Sequence, residues 1–197
     1  MKLYCRLERQ VLMSSDDRRI RKTKKALREA LADLMMKKEL RSITIRELSD
    51  TADVHRATFY AHYKDIYDLY EQLEAAVIED IGAIIVNDFS HNYKEMFKAI
   101  IDYVIDNSKT CRMFLSNPTF QDRLSNFLEE NYLEAWKYET GVNQVTEEWR
   151  YLTRYHIQGF LAMIRLWAES DYIYSKDKLT NIISKVDEHF DALFLQA

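Results

Sequence analysis

Arg56, Thr58, Tyr60, His62 and Lys64 alternate with small or apolar residues, two of which are Ala57 and Ala61. This set suits one kind of chemistry: gripping a polyanion and touching base edges. An arginine near the start of a helix reaches guanine O6 and N7 with its two-pronged guanidinium. Small neighbours let the helix backbone approach the floor of the major groove. The Thr58 hydroxyl suits a base or a phosphate. Tyr60, His62 and Lys64 suit backbone phosphates, which fix register without carrying sequence information. Thr44 and Arg46, at the front of the preceding segment, complete the candidate DNA-contacting set.

These side chains need two short helices and a tight turn to present them. Thr44 is a good N-cap, and Glu47 three residues later makes a capping box. Ile45, Leu48 and Ala52 then fall on one helical face. Asp53 follows, and Asp tolerates a left-handed turn better than most residues. Val54 plugs the turn, and the second helix starts near Arg56. Phe59 and Tyr63, four apart, share a face and should pack on Leu48, Ala52 and the first helix. Ala57, Tyr60, Ala61 and Lys64 then face outward. A surface helix that merely caps a helical core would not require the cap, the plug and the two-faced second helix to coincide.

The same run resembles the DNA-binding domain of the TetR (tetracycline-repressor) family of bacterial regulators. The resemblance rests on Thr44-Ile45, Leu48-Ser49, Ala52-Asp53-Val54 and Thr58-Phe59-Tyr60-Ala61-His62-Tyr63, within residues 19–70. Asp53 replaces the usual turn glycine and His55 the usual serine cap. Ile66 stands where most members carry a phosphate-binding lysine, a contact for which Lys64 is the available substitute. The tail His62 to Leu69 is similar to a subgroup that includes regulators of dihydroxyacetone kinase operons. The resemblance implies an all-α fold and a homodimer on a palindromic operator. It also implies a small-molecule effector bound in the C-terminal domain, or a protein partner in its place.

Composition agrees with an all-α reading. Among 197 residues there are three glycines and one proline, too few for a loop-rich or sheet-rich fold. The net charge of −4 hides an asymmetry. Residues 1–64 carry 16 basic against 9 acidic groups, a balance of +7, and the remainder carries −11. A basic head on an acidic body fits a nucleic-acid-binding domain joined to something else. Cys5 and Cys111 are far apart and have no ligand-like spacing, so neither a disulfide framework nor a zinc site is expected. The natural compartment is the reducing cytoplasm. Apolar runs such as Ile81 to Val86 are far short of a membrane span.

We expect residues 1–16 to form an arm, with Met1 to Leu12 either a product of an upstream start codon or poorly ordered. Residues 17–65 should form the helix-turn-helix domain, and 66–197 a helical sensing and dimerisation domain. The first helix should run from about Asp17 to Lys38 with Ile20, Leu27, Leu31 and Leu34 buried. Its early basic run, Arg18 to Lys25, suits phosphates, the minor groove or plain solvation. A fourth helix from near Tyr67 to Phe89 should link the domains without a tether. Phe89, Tyr93, Met96, Phe97, Met113, Phe114, Phe120, Tyr132 and Trp136 are candidates for an apolar effector pocket, against the plainer reading of core packing. Two final helices carry the stripes Trp149, Leu152, His156, Gly159, Phe160, Met163, Trp167 and Leu179, Ile182, Ile183, Val186, Phe190. The resemblance assigns these to a four-helix dimer interface, whereas periodicity alone allows an intramolecular core.

No phosphate-cradling glycine loop and no His-Glu-x-x-His motif occurs, and the five histidines are scattered. No catalytic constellation, cofactor or metal is expected. The expected function is therefore a DNA-binding transcriptional regulator, a repressor released by a small molecule. The alternatives are a regulator or activator controlled by a protein partner, and a helical adaptor with no DNA role.

Overall fold

The computed structural model describes residues 15–88, 93–141 and 144–194. The expected arm, apart from Ser15 and Asp16, lies outside the described residues, as do Phe89 and the Val142-Asn143 part of the expected break. Of Tyr93 and Trp136 only the backbone is described. Every regular element among the described residues is helical: α1 Ser15–Met35, a 3-10 turn Leu40–Ser42, α2 Ile45–Thr51, α3 Arg56–Tyr60, α4 Ile66–Asp88, α5 Tyr93–Asp106, α6 Ser108–Leu115, α7 Pro118–Thr140, α8 Glu147–Glu169 and α9 Lys176–Phe194. None of the described helices is long and apolar enough to cross a membrane. The chain divides into two compact units, Met1–Tyr70 and Glu71–Ala197, with the first turn of α4 in the first unit.

In the first unit, α2 packs between α1 and α3. Leu27, Leu31 and Leu34 of α1 are buried with Ile43, Leu48, Phe59, Tyr63, Ile66 and Leu69. Ile20, expected in the same stripe, is exposed, because the core has no partner for the first turns of α1. The helix also ends at Met35 rather than Lys38. The Thr44 hydroxyl accepts from the Glu47 N–H at 3.2 Å. The Glu47 carboxyl is held below its ordinary range, first by its hydrogen bond from Lys38 and also by the Thr44 backbone. The expected capping box therefore gains an outside cation.

The turn after α2 is a Schellman motif. Asp53 has φ 54°, the Asp53 N–H donates to the Asp50 carbonyl at 3.3 Å, and the Val54 N–H donates to the Ser49 carbonyl at 3.0 Å. These bonds satisfy the last carbonyls of α2 and reverse the chain within three residues.

In the second unit, α5 packs on α9, and α8 lies against α6, α7 and α9. The α6 segment was not foreseen as a helix of its own; five of its eight residues are buried. Asn117 caps α7 by accepting from Thr119 N–H at 2.9 Å, with Pro118 in the first turn. Gly141 ends that helix at φ 70°. Thr146 caps α8 by accepting from Trp149 N–H at 3.1 Å.

The α8–α9 connection contains two successive left-handed residues, Asp171 and Tyr172 (φ 57° and 59°), and no glycine. Side chains hold this conformation. The Tyr172 hydroxyl donates to the Ser108 carbonyl at 2.9 Å, Trp167 Nε1 donates to the Tyr174 carbonyl at 2.7 Å, and Arg112 pairs with Asp171 while stacking on the Tyr172 ring.

The left-handed turn at Asp53 yields a direct test. Asp53→Gly should stabilise the protein by about 0.5–1 kcal/mol, whereas Asp53→Val should cost about 1–2 kcal/mol. Urea denaturation of the three proteins measures both differences.

Candidate nucleic-acid interface

The short helix α3 owes its orientation to one face. Phe59 is 0% exposed, and its ring lies 5.7 Å from that of Tyr63, which is also buried. Lys24 of α1 sits over the Tyr63 ring at 5.9 Å. Burial raises the Tyr63 hydroxyl's pKa, opposed by the nearby Arg28. With Phe59 and Tyr63 pinned inward, helical geometry turns Arg56, Ala57, Tyr60 and Ala61 to solvent, and all four are exposed. Thr58 and His62 are half-buried beside them, and Lys64 is exposed. Arg56 and Lys64 carry no ion-pair partner among the described residues. Two cationic heads, a phenol and two methyl-sized residues thus share one open surface.

The helix is shorter than the sequence suggests. It ends at Tyr60, and Ala61 and His62 form a turn held by Ala61 N–H to Ala57 O at 3.1 Å and His62 N–H to Phe59 O at 2.9 Å. Lys64 therefore projects from the loop before α4 rather than from α3. Its backbone N–H donates to an Asp68 carboxylate oxygen at 2.8 Å, and Asp65 accepts from the Asp68 N–H at 2.9 Å. Ile66 is buried. Two carboxylates cap the start of α4, so a phosphate in this region has the Lys64 ammonium as its nearest cation on this loop.

The remaining expected contacts differ in availability. Thr44 is exposed, but its hydroxyl serves as the α2 cap. Arg46 is exposed and pairs loosely with Asp50 at 3.7 Å, an exposed pair that a phosphate can replace at little cost.

The structure also adds residues to the surface. An open groove of about 900 Å³ runs between the start of α1 and the α2–α3 turn, lined by Arg19, Ile20 and Thr23 as well as Asp53, His55, Ala57, Thr58 and His62. Arg19 and Thr23 are four apart on one helical face, a spacing that could have marked them. Their direction depends on how α1 packs, which sequence alone does not give.

The other expected sites lie in the second unit. Met96, Phe97, Met113, Phe114 and Phe120 are all buried, and Tyr132 is half-buried. They do not surround one ligand-sized space. Two small apolar cavities lie among the described residues, of about 30 and 40 Å³. Ligand pockets usually measure about 300–1,000 Å³. Phe114 and Phe120 line the first, and Met96, Phe97 and Tyr132 the second.

The expected dimer residues divide in two. Trp149, His156, Phe160, Trp167, Leu179, Ile183 and Phe190 are buried inside a single chain, so they build its own core rather than an interface. The reason is that α8 and α9 also pack on α5, α6 and α7, which takes up one face of each. Leu152 and Met163 are half-buried, whereas Gly159, Ile182 and Val186 face outward. The apolar stripe left open on α8 runs through Gly159 and adds Tyr151, Tyr155, Ala162 and Leu166, which were not among the residues expected from the sequence.

Comparison with known proteins decides the family. A model of transcriptional regulator C-terminal regions, TetR_C_8, matches residues 91–188, about half of the chain. This chain belongs to the TetR family. It is similar to YxbF, an uncharacterised HTH-type transcriptional regulator of Bacillus subtilis (strain 168), with 30% identity over 65 residues. That match spans 33% of this chain and only 17% of the length of the curated relative.

Among solved structures the chain resembles the dihydroxyacetone kinase operon activator DhaS, with a TM-score of 0.58 and 19% identity over 83% of this chain and 93% of that one. It also resembles a TetR transcriptional regulator of Streptococcus agalactiae 2603V, with a TM-score of 0.54 and 21% identity over 85% and 97% of the two chains. NalD, the secondary repressor of the MexAB-OprM multidrug efflux pump of Pseudomonas aeruginosa, has a TM-score of 0.53 and 14% identity over 85% and 94%. At these identities the likeness establishes the fold of a TetR-family chain.

Two substitutions separate the roles on the candidate surface. Arg56→Ala should cost about 1–3 kcal/mol on the preferred DNA site and relax preference at one base. An equal loss on every sequence would contradict base reading. Lys64→Ala should weaken binding evenly and lower the salt slope by about 1. Fluorescence anisotropy across a salt series measures both.

Proposed function

We propose that this TetR-family chain is a DNA-binding transcriptional regulator, not an enzyme, which acts in the cytoplasm as a homodimer on a palindromic operator. The observation that carries this reading is the open face of α3. Arg56, Tyr60 and the Lys64 loop surround two alanines, and the opposite face is locked by Phe59. A helical adaptor would have no need for unpaired cations around small residues. Among the described residues, no cluster of His, Cys, Asp and Glu could hold a metal ion.

The second copy seats on the outer faces of α8 and α9. Tyr155 is 76% exposed, and with Tyr151, Leu166, Ile182 and Val186 it presents an apolar surface that water does not favour. Gly159, where an added Cβ would meet nothing within 4 Å, leaves room for a partner helix to come close. A two-fold dimer matches two half-sites one helical turn apart.

Control then falls to the second unit. A small effector bound in its core releases DNA only by preferring the conformer that does not bind DNA. A coupling of about 1–3 kcal/mol changes operator affinity about 5–150-fold. Repression released by an effector is the primary reading. Control by a protein partner, with activation as one outcome, is the second, and the small size of the two cavities favours it. The fold accommodates both signs, since DhaS is named an activator and NalD a repressor.

Selection of binding sites from random DNA tests the proposal. It should yield a palindrome with half-site centres about 10–10.5 bp apart or a multiple of that. No enriched sequence would contradict it. Tyr155→Asp combined with Val186→Asp should produce a monomer by analytical ultracentrifugation, with operator binding lost and helicity retained. A dimer that persists would remove the α8–α9 surface from the account.

A further inference from the structure

We propose that DNA binding by this chain is coupled to proton uptake at His55 and His62, two imidazoles that, with Asp50 and Asp53, set the sign of the groove beside α3. This names a regulation of the DNA-contacting surface by pH and rests on the reading above.

The groove between the start of α1 and the α2–α3 turn shares Ala57 and Thr58 with the candidate base-contacting set, so a duplex that meets those two residues covers it. Its charged and titratable lining comes from every element around it: Arg19 from α1, Asp50 from α2, Asp53 from the turn, His55 before α3 and His62 after it. With both imidazoles neutral the lining carries one guanidinium against two carboxylates, a formal −1, and with both protonated it carries +1. A polyanion meets a repelling groove in the first state and an attracting one in the second.

The two carboxylates differ in availability. Asp50 has Arg46 at 3.7 Å, whereas Asp53 is exposed and has no ion-pair partner among the described residues. The left-handed backbone at Asp53 does not call for a carboxylate, since glycine adopts it at no steric cost. What aspartate adds at this turn is negative charge on the face that meets phosphates.

Both imidazoles are free to answer that charge. His55 is exposed, and as the N-cap of α3 its side chain makes no capping hydrogen bond. His62 is half-buried, with its ring edge-on to Tyr63 at 6.4 Å. Neither has an ion-pair partner among the described residues. Histidine is the side chain whose charge changes between about pH 5 and 8. Phosphates within a Debye length, about 8–10 Å, favour its protonated form. Each imidazole then holds its proton more tightly on DNA than off it. Binding is strengthened below the imidazole's range in the free protein, and the gain is lost as pH rises through its range in the complex. Arginine and lysine keep their charge across that window, so Arg56 and Lys64 supply a part of the affinity that does not vary with pH.

The test is fluorescence anisotropy of the full chain from about pH 6 to about pH 8, with DNA from upstream of its own gene and an unrelated duplex of equal length. Affinity for both duplexes should rise about tenfold per histidine as pH falls. The slope of log affinity against log salt should steepen by about 0.9 for each proton taken up. His55→Gln should remove about half of the logarithmic pH dependence, and His55→Gln with His62→Gln should remove it all, at unchanged helicity. His55→Lys, which fixes a positive charge, should instead raise affinity at the alkaline end. Asp53→Asn keeps a residue that tolerates the left-handed turn; it should tighten binding about threefold at the alkaline end and leave the pH dependence in place. A flat profile, or one that stays steep in the double variant, overturns the proposal. Preference for the upstream DNA with a flat profile removes this proposal alone. Equal binding to both duplexes with proton uptake keeps it and removes base reading. No binding at any pH removes both.

Discussion

A helix cannot bury one face without presenting the other, and the candidate interface depends on that constraint acting through Phe59. At five residues α3 is too short to hold its shape alone. Its conformation is lent by the burial of Phe59 in the core of the first unit, by the Tyr63 ring beside it and by the Schellman turn at Asp53. Given those three anchors, Arg56 and Tyr60 have no direction left except outward. The capped start of α2 and the carboxylate-capped start of α4 fix the two ends of the segment. The candidate surface is thus held by packing along its length and by caps at both ends.

The second unit applies the same economy to two purposes. Each of α8 and α9 gives one stripe to the core of its own chain and keeps another for solvent or a second copy. Behind the open stripe lies a chain of aromatic contacts. Tyr155 stacks on Phe190 at 6.5 Å, Phe190 stacks on His156, and His156 meets Asp187. The outer face and the core are therefore mechanically continuous. Glu74 of α4, buried and bonded to Arg123 at 2.9 Å, and Gly82, where an added Cβ would come 2.7 Å from the Phe127 ring, tie α4 to α7 at two levels.

Much of the fold was legible because local chemistry and periodicity agreed. Thr44, Asn117, Gly141 and Thr146 end or begin helices by mechanisms that need only neighbours in sequence. The buried stripe Leu69, Leu73, Val77 and Ile81 follows from a four-residue repeat. The losses occurred where tertiary context decides. Periodicity showed two apolar stripes on α8 and α9 but not which neighbour each meets, so seven core residues were assigned to the dimer face, and Tyr155 and Leu166 were passed over. Ile20 obeys the α1 repeat yet lies beyond the core. The left-handed pair Asp171-Tyr172 has no glycine to announce it, and depends on Arg112 from a helix some sixty residues earlier. Aromatic and methionine content pointed to a pocket; whether such residues enclose space or fill it is a matter of packing, and here they nearly fill it.

The central claim is that the α3 face recognises a particular DNA. The most direct measurement is binding of the purified chain to DNA from upstream of its own gene and to unrelated DNA of equal length, across a salt series. Non-specific affinity comes from phosphate contacts and decays steeply with salt, whereas base contacts preserve the difference between sequences. The account predicts tighter binding to the upstream DNA, with a preference that persists as salt rises. Equal binding to both DNAs, lost together on adding salt, would contradict it.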